Sequence, residues 1–220
     1  MTFRGWPPEA FDLYAGLEAD NSKAYWQAHR ETYERAVRDV FAALSDTVQS
    51  RFGPLRLFRP YRDTRFSKDK SPYKTAAGAV SESDGGAAYY AQISAEGLFV
   101  GCGMYTLAPD QLDRWRAAVD NGRSGAQVAA IVDDLRAKRY EIGARESLKT
   151  APRGYPKDHP RVELLRQKGL TMGRSYPVAR WMHTAKALER VVAVWTDARP
   201  MNRWLERQVG PSTLPPPEPD

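Results

Sequence analysis

Residues 73–106 read YKTAAGAVSESDGGAAYYAQISAEGLFVGCGMYT, and this stretch decides the fold class. Tyr73–Val80, Ala88–Ser94 and Leu98–Thr106 are runs of small, aromatic and β-branched residues, too short for helices. Between them lie Ser83-Asp84-Gly85-Gly86 and Ala95-Glu96-Gly97, tight-turn sequences of the kind that join antiparallel neighbours. Upstream, Phe58–Phe66 lacks a helical stripe and is bounded by Pro54 and by the loop Ser67–Pro72, so it is expected to be a fourth strand. Four runs joined by short turns predict an antiparallel meander.

Helices are expected on both sides of the meander. Pro7-Pro8-Glu9 opens one that carries Phe11, Tyr14 and Leu17. Asn21-Ser22 reads as the cap of a longer helix, in which Trp26, Tyr33, Val37, Val40, Phe41, Leu44 and Val48 form one apolar face ending near Ser50. Downstream, Ala108-Pro109-Asp110 and Ser124 each begin a helix. His159-Pro160 begins a short one, Gly169–Tyr176 reads as one more strand, and the chain from Pro177 is helical until Pro200 interrupts it. The five prolines from Pro211 onward build no core. The expectation is a single α+β domain over 1–208, with an antiparallel sheet of about four to six strands flanked by helices. Residues 209–220 are expected to be a disordered proline-rich tail that contributes nothing to stability.

The chain has 220 residues, 42% hydrophobic and 27% charged, with one cysteine. That composition is globular, and it excludes an intrachain disulfide and a cysteine-rich zinc site. No apolar run is long enough to cross a membrane as a helix, and Met1–Phe11 lacks the apolar centre of a signal peptide, so a cytoplasmic protein with no membrane partner is expected. The net charge of +6 is not evenly spread. Arg56–Lys74 holds seven basic residues against Asp63 and Asp69, and Arg145–Lys168 holds seven against Glu146, Asp158 and Glu163. Two basic segments on an otherwise mildly acidic chain suggest a focused anion site.

The first segment offers Arg59, Arg62, Arg65, Lys68 and Lys74, with Asp63 placed to orient the arginines. Guanidinium forks held by a carboxylate are set for a phosphate or carboxylate ligand, although an exposed Arg–Asp ladder has the same composition. The second segment offers Lys149 and Arg153 on a loop stiffened by Pro152, Gly154 and Pro156. His159 is the candidate acid or base there, and the alternative is a packing residue beside a capping Asp158. The two segments are expected to meet around a shared anion. Gly101-Cys102-Gly103 is not a dinucleotide fingerprint, because no third glycine opens a helix after it. His29, His159 and His183 lack metal-ligand spacing, so neither a metal nor another cofactor is expected. Tyr61, Tyr73, Tyr89 and Tyr90 are aromatic enough to stack bases, which leaves nucleic acid as a second partner class behind a small anionic ligand. Docking of an acidic protein on the basic face is the third.

Three stretches carry a resemblance. The first is Leu17–Tyr33, with Asn21, Trp26 and Tyr33. The second is Arg59–Lys74, reading RPYRDTRFSKDKSPYK. The third is Leu148–Pro156 with Asp158-His159-Pro160. On these residues the chain resembles a bacterial family of conserved hypothetical proteins, domain of unknown function 2461. Asn-Ser-Lys-Ala-Tyr-Trp at 21–26 departs slightly from the doubled asparagine and Trp-Phe frequent in that family. The resemblance implies one domain and importance of the two basic segments, and it implies no reaction.

Overall fold

The computed structural model describes residues 2–65, 69–82 and 85–215. Helix α1 (Pro8–Ala19) carries proline in its first turn, where the missing N–H costs nothing, and buries Phe11, Leu13, Tyr14 and Leu17. Ser22 caps α2 (Lys23–Thr32) by accepting the Tyr25 N–H at 3.1 Å. The chain then stays helical through a π-helical turn (Tyr33–Arg38) into α3 (Asp39–Phe52). The expected long helix is therefore present with one wide turn inside it. Gly53 ends it at φ +82°, a backbone region glycine enters without strain.

Six antiparallel strands follow: β1 (Arg56–Leu57), β2 (Ala76–Glu82), β3 (Ala88–Ser94), β4 (Gly97–Met104), β5 (Glu141–Gly143) and β6 (Leu170–Pro177). Their order in the sheet is β1-β2-β3-β4-β6-β5, which gives an α+β fold. The meander at β2–β4 matches the turn reading. The strand expected at Phe58–Phe66 does not form as such. Among the described residues there, only Arg56 and Leu57 pair as a strand, opposite Val80 and Ala79, and Tyr61 meets Tyr73 in an isolated bridge. Pro60 has no N–H to donate to a ladder, and Asp63 and Arg65 bond to each other instead of to a neighbouring strand. Phe66, Ser67, Lys68, Ser83 and Asp84 lie outside the described residues.

The remaining helices are α4 (Pro109–Asp120), α5 (Gly122–Ala137), α6 (Val162–Arg166) and α7 (Lys186–Gln208), with a short 3₁₀ turn at Arg180–His183. None of the described helices is long and apolar enough to cross a membrane. The expected break at Pro200 is absent, because α7 runs through it. Val194, Trp195, Ala198, Met201, Trp204 and Leu205 are all buried, and that packing holds the helix across the missing backbone bond.

Contacts divide the chain into two compact units. The first comprises Met1–Ser81, Tyr89–Val100 and Arg174–Trp195, and the second Glu82–Ala88, Gly101–Gly173 and Thr196–Asp220. In the first unit, Trp6 packs on Phe3 and Phe41, and Tyr89 sits between Phe52 and Trp195. The Trp195 indole donates to the Tyr90 carbonyl at 3.2 Å, so the ring is both buried and satisfied. In the second unit, Trp115 and Trp204 meet edge to face at 5.6 Å. Their indoles donate to the carbonyls of Leu164 and Ser124, each at 3.1 Å.

The end of the chain differs from expectation. Val209 is buried, and α4 holds the residues after it. Gln111 donates to the Gly210 carbonyl at 2.7 Å, and Arg114 to those of Val209 and Pro211. The Asp110 carboxylate accepts from the Ser212 hydroxyl (2.8 Å), the Thr213 N–H (2.9 Å) and the Thr213 hydroxyl (3.2 Å). Proline content thus removed core-forming capacity without removing hydrogen bonding, and residues 216–220 lie outside the described residues. The Thr213 N–H, with Ser212 and Arg114, holds the Asp110 carboxyl well below the usual carboxylate range. Truncation after Gln208 is therefore expected to lower the melting temperature at neutral pH by about 4 °C or more. A depressed carboxyl contributes stability above its unfolded value and loses it as pH falls. The gap between full-length and truncated protein should therefore narrow below about pH 4, as thermal melts across that range would show.

Candidate functional site

The basic hairpin belongs to the first unit and begins with backbone pairing. Arg62 N–H donates to the Pro72 carbonyl at 2.9 Å, and Lys74 N–H to that of Pro60 at 2.8 Å. These bonds flank the Tyr61–Tyr73 bridge, making it a non-hydrogen-bonded pair, the type whose side chains come closest. The two rings lie 5.5 Å apart. Trp26 stacks on Tyr73 at 4.7 Å and 17°, and Tyr33 closes on Trp26 at 4.9 Å. Asn21 fixes the register. Its Oδ1 accepts the Tyr73 N–H at 2.9 Å, and its Nδ2 donates to the Tyr73 carbonyl at 3.1 Å. A side-chain amide thus replaces the missing strand partner. Burial, reinforced by Glu34, pushes the Tyr33 hydroxyl up to about 12.

The charged side chains sort into two kinds. Arg65 grips Asp63 with two parallel bonds, Nε to Oδ1 at 3.1 Å and Nη2 to Oδ2 at 2.8 Å. That pairing holds the Asp63 carboxyl down to about 2. Arg62 pairs with Asp69, whose Oδ1 also accepts the Ser71 N–H at 2.9 Å. Lys70 donates to the Thr64 carbonyl at 2.9 Å. Arg59 and Lys74 are different: neither side chain is hydrogen-bonded or ion-paired to a carboxylate among the described residues, and Arg59 acts on Asp63 only through its charge. Lys74 Nζ lies 5.4 Å over the Phe58 ring, with the Arg56 guanidinium 5.1 Å from the same ring. Burial first, and then the charge of Arg59, lowers the Lys74 ammonium below its ordinary range. Lys68 lies outside the described residues.

The second basic segment lies in the second unit. Lys149 and Arg153 are exposed on their loop. His159 is almost buried, and both its ring nitrogens are engaged. Nδ1 accepts the Arg161 N–H at 3.0 Å, and Nε2 lies 3.2 Å from Asp120. Arg161 also donates to the Val119 and Asp120 carbonyls, at 2.7 and 2.9 Å. His159 and Arg161 together clasp the end of α4. His29 and His183 bond to the backbone carbonyls of Tyr25 and Trp6. No group of three metal-ligating side chains occurs among the described residues.

Of the tyrosines singled out for stacking, Tyr73 and Tyr61 lie against Trp26, and Tyr89 lies half-buried against Phe52 and Trp195. Tyr61 is the most exposed of the four, and Tyr90 is half-buried. A concavity of about 280 Å³ is lined by Tyr105, Leu107, Leu112, Arg145 and Lys168 among others, and another of about 500 Å³ surrounds Trp181. Neither lining includes a residue of the basic hairpin. Two structural roles were missed by residue-by-residue reading: Asn21 as the hairpin's clamp, and Phe58 as a seat for cations. The first was signalled by Asn21 recurring in the resembling stretch, and the second had no signal beyond its place between Arg56 and Arg59.

The chain matches the family model of conserved hypothetical proteins DUF2461 over residues 9–204, and it belongs to that family. No curated protein matches it. The three stretches of the resemblance gain a physical meaning here, since Asn21, Trp26 and Tyr33 of the first converge on Tyr61 and Tyr73 of the second. Asn21→Ala leaves two buried backbone groups of Tyr73 without partners and is expected to cost about 1–3 kcal/mol. Asn21→Asp restores the acceptor only and should recover part of that loss, as urea unfolding would measure.

Proposed function

We propose that this DUF2461 member binds a phosphate- or carboxylate-bearing ligand at the Arg59–Lys74 pair. The observation that carries the reading is that Lys74 feels the charge of Arg59 while neither is ion-paired to a carboxylate among the described residues, beside arginines that are. Like charges side by side repel by roughly 1 kcal/mol in water and more where water is excluded. An anion between them removes that repulsion. Arg59 supplies a planar fork for two oxygens, and Lys74 a point charge already partly stripped of water. Asp63 and Asp69 hold Arg65 and Arg62 in place, so the Arg–Asp ladder and the anion site are neighbouring parts of one hairpin. Asp63 is committed to Arg65 and His159 to the end of α4, which favours binding over proton transfer.

Sulfate and phosphate are expected to raise the melting temperature of the wild type, by an amount corresponding to ~2.7 kcal/mol at a hundred times the dissociation constant. Lys74→Met and Arg59→Met should lose most of that response. Because the folded protein depresses the Lys74 ammonium, its charge subtracts from stability at neutral pH, and the penalty is relieved as pH rises through the folded value. Lys74→Met should therefore be as stable as the wild type, or more so, when no anion is present. Equal anion responses in all three proteins would place the binding elsewhere.

A further inference from the structure

In an antiparallel sheet with helices on one side, the other side ordinarily carries polar residues. The first unit departs from this. Tyr89 faces the helices between Phe52 and Trp195, so Tyr90, the next residue of β3, faces outward. Ser81 bonds to the Phe52 carbonyl on the helix side, which puts Gly78 of β2 on the outer face with Tyr90. A Cβ on Gly78 would lie 2.2 Å from the Tyr90 hydroxyl oxygen, so the absence of a side chain is what lets the ring cross the strand. Phe58 stands 6.4 Å from Tyr90 on one side, and Phe99 stands 6.2 Å away on the other. All three rings are partly exposed. Gln92 lies beside them and accepts the Tyr90 hydroxyl at 2.6 Å, and its amide N–H groups have no partner among the described residues.

Charge is concentrated at one end of this row. Lys74 and Arg56 sit over Phe58, with Arg59 beside Lys74. Rings that lie open on a sheet, with cations at the edge, suit unstacked bases joined by phosphates. A duplex hides its base faces, and its major groove takes a helix or ribbon rather than a flat sheet. A free mononucleotide needs a concavity that buries most of it, and the rings line neither concavity described above.

We infer that the outer sheet face of the first unit binds single-stranded nucleic acid, with bases stacked on Tyr90 and Phe99, Gln92 donating to a base edge, and phosphates on Lys74 and Arg59. This rests on the anion site proposed above and names its partner. Tyr90→Leu and Phe99→Leu keep apolar bulk while removing the π-face, and Lys74→Met removes one phosphate contact.

The test is fluorescence anisotropy of the full chain with a labelled oligouridine of about 12 nucleotides, against the matching duplex and uridine monophosphate. The single strand should bind more tightly than either comparator at about 50 mM salt. Tyr90→Leu and Phe99→Leu should each weaken binding about fivefold to a hundredfold with the salt slope unchanged. Lys74→Met should reduce the slope of log affinity against log salt by about 0.7. If phosphate stabilises the protein through Lys74 but the single strand does not bind, the sheet-face inference is overturned and the anion site stands. Duplex binding as tight as single-strand binding, or indifference to both leucine variants, overturns it as well. So does uridine monophosphate binding as tightly as the oligomer. If neither phosphate nor the oligomer acts, both readings fall.

Discussion

The side-chain amide of Asn21 bonds to both backbone groups of Tyr73, and Trp26 stacks on the ring of the same residue. This contact ties the basic hairpin to the helical layer. It is local in energy but wide in consequence. With Tyr73 fixed, Tyr61 has one register available opposite it, and the flanking bonds bring Lys74 against Pro60. A segment this rich in cations has little reason to fold back on itself. The aromatic cluster of Trp26, Tyr33, Tyr61 and Tyr73 supplies one, because the burial of Trp26, Tyr33 and Tyr73 outweighs repulsion at a largely solvated edge.

Within the hairpin the acidic residues are spent unequally. Asp63 and Asp69 ion-pair with Arg65 and Arg62, whereas Lys74 lies over Phe58 and neither it nor Arg59 is ion-paired to a carboxylate among the described residues. A purely structural ladder would distribute its carboxylates among the closest cations. Leaving the half-buried Lys74 ammonium without one among the described residues is a cost that the proposed anionic partner would offset. Burial on one side and solvent on the other also means that such a partner exchanges water-facing repulsion for charge-assisted bonds.

The meander was legible because its turns are spelled by glycine at Gly85, Gly86 and Gly97, and the helices because their apolar residues recur on one face. Three features were not legible. Phe58–Phe66 lacks a helical stripe and reads as a strand, yet Pro60 and the Asp63–Arg65 pair divert the backbone bonding of its described residues into a loop. Pro200 reads as a break, yet buried neighbours on both sides hold α7 straight through it. The proline-rich end reads as a free tail, yet Asp110, Gln111 and Arg114 reach out from α4 to bond it. Each depends on a partner distant in sequence, which no local pattern encodes. At the candidate site, the arginines and lysines were legible as a basic segment. Which of them are already paired was not, because pairing depends on where a loop places two carboxylates.

The proposed anion site requires that Arg59 and Lys74 act on one another in the empty protein. The most direct measurement is the titration of Lys74 itself, followed by NMR of the labelled side chain in the empty protein and with saturating phosphate. The account predicts that Lys74 loses its proton below the ordinary lysine value of about 10.4 in the empty protein and that phosphate moves the transition upward. A Lys74 that titrates like a free lysine and does not respond to phosphate would contradict it.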